Sequence, residues 1–513
     1  MLGTVPPMST PVVKNTVYLI TALVGQKSIA FVYFTILARQ LTIEEMGLYS
    51  TAVSLSLIFS IFVDVGLTSV LIRDLAALLS RTGDHSKEEQ ELIGNTFALK
   101  FFLSLIAFAI LYFGVRVAGY PEAVVRLSWI AGIIMILDST QLTLYGILRA
   151  LGNLRYEAYG MILGQLCAFG IGATLLMRHA PLPWFLAALV VASAFNVVWS
   201  LSVLRTRFHV PFVLHLSVLR TRALLFCAAP FALAGIFVKL YSFVDSLLLA
   251  RIAGVHAVGL YSIPYKLAFA FQFIPLAVVA ALYPAMSSAH AESRVKLKNL
   301  FEHSTIYVGM IAFLIVSILV VIAEPLIRTL YGTQYLPGVG VLRILAVTLF
   351  FTFLGYPVGS LLNASHRQNA QTMFIGLTAA LNISLNFLLI PFMGIMGAAL
   401  AALVSNIFLS MGGFLYSPKL VGAPTSHFAM SILKICMSGI CAIGGMWFLT
   451  KPFLALTRLP AGQIVHVVVL AGATGAIYAI CLYASGVFRI EVIKEIIELF
   501  RRPRGTVESI EEL

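Results

Sequence analysis

The sequence predicts an all-α membrane protein of about fourteen transmembrane helices. Three observations carry this. The 513 residues are 60% hydrophobic and 11% charged, with mean hydropathy +0.98, where a soluble domain carries about 25% charged residues. Apolar runs long enough to cross the roughly 30 Å hydrocarbon layer recur from end to end. The runs are continuous rather than alternating, which selects helices over a closed barrel.

In chain order, spans are expected at 12–38, 47–72, 92–118, 123–148, 156–179, 182–204, 223–250, 258–285, 304–330, 339–362, 370–392, 395–416, 428–450 and 463–487. The connections are short. The longest polar stretches, 73–91, 205–222 and 287–303, fall on one predicted side, and no loop is large enough for a catalytic domain. The first eleven residues are uncharged and show no cleavage pattern, and the first span is too long for a signal peptide, so it is expected to be retained. The tail over 489–504 reads either as a basic amphipathic helix on the membrane surface or as an ordinary solvated tail.

A net charge of +13 would suggest nucleic acid in a soluble protein. Here it fits positive loops on one membrane face, and no nucleic-acid partner is expected. With the N-terminus inside, Lys and Arg favour the inner segments by about two to one, which places both termini in the cytoplasm. The expected location is a plasma (inner) membrane. Cys167, Cys227, Cys436, Cys441 and Cys481 all sit in apolar runs without metal spacing. No cofactor and no metal is expected.

The chain contains an internal repeat. Ala38-Arg39 and Gly47-Leu48-Tyr49-Ser50 lie over Ala250-Arg251 and Gly259-Leu260-Tyr261-Ser262 at one fixed offset, six matches in thirteen positions. Leu148-Arg149-Ala150 and Leu362-Asn363-Ala364 recur at nearly the same offset. Two six-helix halves plus two further helices follow. Six is even, so both halves enter from the same side, related by an axis along the membrane normal with a cavity between them.

The segment Ala38-Arg39-Gln40-Leu41-Thr42-Ile43-Glu44-Glu45-Met46-Gly47-Leu48-Tyr49-Ser50, followed by Asp64-Val65-Gly66-Leu67 and Leu71-Ile72-Arg73, resembles the polysaccharide-transporter (Wzx-type) flippases of the MOP superfamily. So do Val244-Asp245 through Tyr261, Ile274-Pro275, Tyr283-Pro284, Leu330-Tyr331-Gly332, and Ile390-Pro391 with Gly394 to Ala399. The likeness covers nearly the whole chain in order. It implies two six-helix lobes in a V plus two C-terminal helices, alternating access, and a polyprenyl-pyrophosphate-linked oligosaccharide as cargo. The expected divisions are an N-lobe over 1–205, a linker over 206–222, a C-lobe over 223–416, two spans within 417–488 and a basic tail over 489–513.

Ionisable groups inside a membrane cost roughly 2.5–3.5 kcal/mol near its centre and mark function. Here they are Lys27, Asp64, Lys100, Asp138, Lys239, Asp245, Lys266 and Lys434. Lys27 and Lys239 share the offset that carries Arg39 onto Arg251. Each lies twelve residues, about 18 Å of rise, from its arginine. They are expected to face the cavity and bind the pyrophosphate, with Lys100 and Lys266 beside them. The alternative is a lysine paired with a carboxylate between helices. Asp64 has three readings: partner of Lys27, a titrating group that couples transport to protons, or a local structural role beside Gly66; the coupling ion expected is proton or sodium. Asp245 and Arg73 are further candidates for coupling or gating. Asp245 cannot pair with Lys239 within one helix, since six residues rotate it by about 240°.

Pro230, Pro264, Pro275 and Pro284 interrupt or border spans of the second half, as hinges or as tolerated kinks. Gly25-Gln26-Lys27-Ser28 lacks the glycines of a phosphate loop. Asn363-Ala364-Ser365 and Asn382-Ile383-Ser384 fit the glycosylation pattern by chance, one bordering a cytoplasmic loop and one within a span. Rival functions are a lipid II flippase, a multidrug cation antiporter and a membrane glycosyltransferase or polymerase. The last needs catalytic acids on a large outer loop. The antiporter needs an acidic cavity, whereas mid-membrane Lys outnumbers Asp five to three. Expected partners are the lipid-linked oligosaccharide, membrane lipid and a polysaccharide polymerase.

Overall fold

The computed structural model describes residues 10–82, 87–210, 212, 217–453 and 460–487. The 489–513 tail therefore lies outside the described residues. The first half comprises α1 (Thr10–Gln40), α2 (Ile43–Asp64), α3 (Leu67–Thr82), α4 (Lys87–Val117), α5 (Glu122–Ala150), α6 (Arg155–Met177) and α7 (Leu182–Thr206). The second comprises α8 (Val218–Ile252), α9 (Val255–Phe269), α10 (Phe273–Glu292), α11 (Arg294–Tyr331), α12 (Val339–Ala364), α13 (Gln368–Met393), α14 (Ile395–Tyr416) and the short α15 (Pro418–Val421). Then come α16 (Ser426–Phe453) and α17 (Pro460–Ala484). Among the described residues, fourteen helical segments are long and apolar enough to cross a membrane.

Two expected spans are each two helices. The second begins earlier than 47, because Thr42 and Glu45 form a capping box that satisfies the first amides of α2. It also stops earlier than 72. Val65 and Gly66 take left-handed φ values of 42° and 74°, and α3 starts afresh at Leu67. Gly66 backs onto α8, where a Cβ would stand 2.7 Å from the Phe231 Cβ and 2.9 Å from the Ala228 carbonyl oxygen. Glycine meets both demands at once. The eighth span breaks at a 3-10 turn, Ala270–Gln272. Pro275 has no N–H for the Phe271 carbonyl, so the helical ladder lapses there.

The two halves pack alike. In the first, α1 lies on α6, α4 and α2 on α5, and α7 on α5 and α6. In the second, α8 lies on α13, α11 and α9 on α12, and α14 on α12 and α13. The halves meet where α2 runs against α9 and α8, and where α4 touches α8 and α1 touches α11. At the Arg39 end they share one core, in which Leu37, Met46 and Phe185 join Tyr261, Ile327 and Tyr331. At the other end the cores divide. Leu71, Leu75, Leu148 and Leu204 belong to one, and Met286, Phe301, Leu361 and Leu362 to another. Leu224 and Ala228 of α8 reach into the first of these, so one flank of the V is closed along α2 and α8. Helices α16 and α17 pack on each other and on α11.

Candidate translocation site

One of the four predicted lysines bears on two others across the halves. Lys27 of α1 is exposed; Lys239 of α8 and Lys266 of α9 are partly buried. The Lys27 charge acts on both Lys239 and Lys266. Lys266 Nζ stands 5.2 Å from the centre of the Phe34 ring of α1, and Lys239 Nζ 5.6 Å from that of Phe243. An ammonium over a ring face is held by the ring quadrupole without being neutralised. Lys27 and Lys239 lie about 18 Å from Arg39 and Arg251, and Lys266 about 16 Å from the start of α9, so all three share a level. Opposing them is Asp138 of α5, whose charge reaches Lys239 and whose carboxylate accepts a 2.6 Å bond from the Ser193 hydroxyl.

Lys100 and Asp64 are bonded to each other, and the Asp64 charge also reaches Lys239. Lys100 Nζ donates to Asp64 at 2.5 Å, to Thr143 Oγ1 at 2.6 Å and to Thr68 Oγ1 at 2.8 Å, with its side chain 5% exposed. Thr68 Oγ1 also donates to Asp64. Four helices, α2 to α5, are tied at this point. The sequence left Lys27 open as a partner for Asp64; the bonded partner is Lys100 of α4, in the same half. Lys100 thus lies in an ion pair of the kind weighed against cavity binding.

Asp245 of α8 is buried in the second half. Its carboxylate accepts from Asn386 Nδ2 at 2.7 Å and from the Tyr261 hydroxyl at 3.3 Å. Beside it is a cavity of about 30 Å³ lined by Tyr241, Tyr265, Gln272, Asn382 and Asn406 among others. That is room for a water or a bare cation. Asn386 Oδ1 and Asn382 Nδ2 have no partner among the described residues. These asparagines are missed in the sequence, where Asn382 shows only as a chance glycosylation pattern. Their i, i+4 spacing on one face of an apolar helix is the signal that finds them.

Arg73 sits on α3, outside the candidate spans, and is exposed. It pairs with Asp74 at 2.7 Å, which holds its guanidinium above the usual range. Lys434 donates to the Ser485 carbonyl at 2.8 Å and ties α16 to the end of α17. A further pair, half-buried Arg149 with buried Glu157 at 2.5 Å, fastens the α5–α6 connection.

The comparisons with known proteins bear on the family and the fold. A family profile described as polysaccharide biosynthesis protein matches residues 12–290, more than half of the chain. The chain belongs to the polysaccharide biosynthesis protein family. A MatE profile also matches residues 230–388. A putative O-antigen transporter of Shigella flexneri is 23% identical over 409 residues, 76% of this chain and 94% of the relative. The probable flippase AglR of Haloferax volcanii is 29% identical over 243 residues, 46% of this chain and 48% of the relative. Both are named for transport rather than for catalysis. Among solved structures, the lipid II flippase MurJ in an inward closed conformation superposes with TM-score 0.72 at 13% identity, over 91% of this chain and 99% of that one. An inward-facing MATE family multidrug transporter gives 0.63 at 15%, over 81% and 99%. At these identities the structures show the shared fold alone.

Proposed function

We propose that this family member is a flippase that carries a polyprenyl-pyrophosphate-linked oligosaccharide from the cytoplasmic to the outer leaflet by alternating access, for surface polysaccharide synthesis. One observation carries the reading. Lys27, Lys239 and Lys266, drawn from both halves, lie at similar counts along their helices from the Arg39 end, the Lys27 charge bears on the other two, and Asp138 and Asp64 are the carboxylates that bear on Lys239. Like charges in a low-dielectric space repel, so the cluster favours an anion bound among them. A pyrophosphate meets that demand as a bridged group, each ammonium acting as a point charge. The sugar would fill the space between the lobes and the lipid tail would stay in the bilayer.

The remaining assignments follow from the same reading. The lobes are taken as 1–205 and 223–416, and both termini as cytoplasmic in the inner membrane. The Arg39 end is then the outer end. Asp245, with its cavity and free Asn386 Oδ1, is assigned the coupling ion, sodium or proton. Lys100 and Asp64 are assigned to holding the N-lobe together. A polymerase would receive the flipped cargo.

The test is export of surface glycan in a strain that depends on this chain. Lys27→Ala and Lys239→Ala should each reduce export at least tenfold at unchanged protein level, and Arg should restore more than Gln at either position. Normal export by the Lys27→Ala, Lys239→Ala double variant would rule the lysine site out.

A further inference from the structure

The repeat that first appears in the sequence closes on itself at the Arg39 end. Arg39, at the last turn of α1, donates through Nε to the Leu330 carbonyl at 2.6 Å and through Nη2 to the Thr329 carbonyl. Both carbonyls belong to the last turn of α11, in the other half. Arg251, at the last turn of α8, donates through Nε to the Ala118 carbonyl, just past the end of α4, again in the other half. The offset that carries Arg39 onto Arg251 also carries Ala118 onto Leu330. Each half therefore reaches across and caps the equivalent helix of its counterpart. Those carbonyls are the unsatisfied, negative end of a helix, where a cation is favoured.

The same exchange recurs around the arginines. Tyr331 and Thr35 share a 3.1 Å hydroxyl contact across the halves. The Tyr120 hydroxyl donates to the Leu247 carbonyl at 3.1 Å, and the repeat offset carries Thr35 onto Leu247. Between the two arginines the backbones themselves touch. A Cβ on Gly47 would stand 1.8 Å from the Val255 carbonyl oxygen, and one on its repeat mate Gly259 would stand 2.0 Å from the Ile43 carbonyl oxygen. No side chain fits at either place while the halves are together.

We infer that Arg39 and Arg251 form a duplicated latch that holds the outer gate shut, with the Gly47 and Gly259 crossing as the surface on which it closes. The latch joins parts that must separate for cargo to leave, and none of its bonds lies within a single half. Opening breaks both arms together, because rotation about the axis between the halves moves the two arginines alike. The arms are unequal. Arg39 holds two carbonyls and Arg251 one. The latch itself rests on the fold and the repeat and is independent of the cargo; only its being at the outer end rests on the orientation assigned above.

The experiment is a distance measurement on the full chain in lipid nanodiscs. Spin labels are placed at Glu44→Cys and His256→Cys, exposed repeat mates on either side of the crossing, in a background lacking the five native cysteines. The unsubstituted gate should give a dominant short distance. A hydrogen bond to a charged group contributes about 1.5–3 kcal/mol, so Arg251→Ala should raise the long-distance population about tenfold and Arg39→Ala more. The two effects should multiply in the double variant. Gly47→Ala tests the same gate as a wedge and should also lengthen the distance with both arginines present. Arg328→Ala, an arginine at the same end paired with Glu324 of its own helix, should leave the distribution unchanged. An unshifted distance in the arginine double variant overturns the latch. So does an unshifted Gly47→Ala, should the arginine variants fail to fold.

Discussion

Asp64 and Asp245 are both carboxylates inside the membrane, one in each half, and they are kept there in opposite ways. Asp64 has its cation built in. The Lys100 ammonium lies 2.5 Å away, and two threonine hydroxyls complete the group. Asp245 is surrounded by amides and phenols instead, with no cation among its bonded partners, a cavity beside it and two amide atoms unused. A carboxylate with a tethered counter-charge is a fixed part of the scaffold. One with donors and an empty space is free to exchange a proton or take a mobile cation. The pair shows one fold, used twice, keeping a membrane carboxylate in two different settings, the second of which is the one proposed above for the coupling ion.

Three substitutions test that contrast through stability. The largest effect should come from Lys100→Ala, which strands Asp64 among four helices. Breaking a buried pair from one side costs about 3–5 kcal/mol. Thermal unfolding in detergent should show it as a large loss, and Lys100→Met with Asp64→Leu should recover most of it. A Lys100→Ala protein as stable as the parent would dissolve the distinction. Asn386→Leu comes next. It removes one donor to a charged group, about 1.5–3 kcal/mol by the same assay. Asp245→Asn should matter least to stability, under about 1 kcal/mol, because no internal cation is orphaned. It should nonetheless abolish the dependence of flipping on a sodium or proton gradient in proteoliposomes. Gradient dependence that survives Asp245→Asn would move the coupling site elsewhere.

The span count and the repeat are legible in the sequence because each depends on local pattern: apolar run length and a fixed offset. The start of α2 is missed, because hydropathy places it at 47 and gives no weight to the Thr42–Glu45 capping box that begins the helix at Ile43. The break after Asp64 is partly legible. Asp64-Val65-Gly66 stands out as a motif, yet what ends the helix there is Ala228 and Phe231 of α8, far away in sequence. The lysine level is visible because depth along a helix is a matter of counting. The partner of Asp64 is not, since Lys27 and Lys100 are equally plausible by composition and only helix packing chooses. The arginine caps on opposite helices escape for a related reason. Their acceptors are backbone carbonyls, which every residue has and no sequence pattern marks.

The core shared at the Arg39 end has a consequence for temperature. Separating the halves there parts apolar surfaces that Leu37, Met46, Phe185, Tyr261, Ile327 and Tyr331 now bury together. Where water enters between them, the step carries a positive heat-capacity change, as any exposure of apolar surface does. The attraction that keeps such surfaces together weakens on cooling. The preference between the two orientations of the empty protein is therefore a curved function of temperature. An organism growing in the cold and one growing in the heat would need different apolar side chains at this seam to keep the same resting orientation.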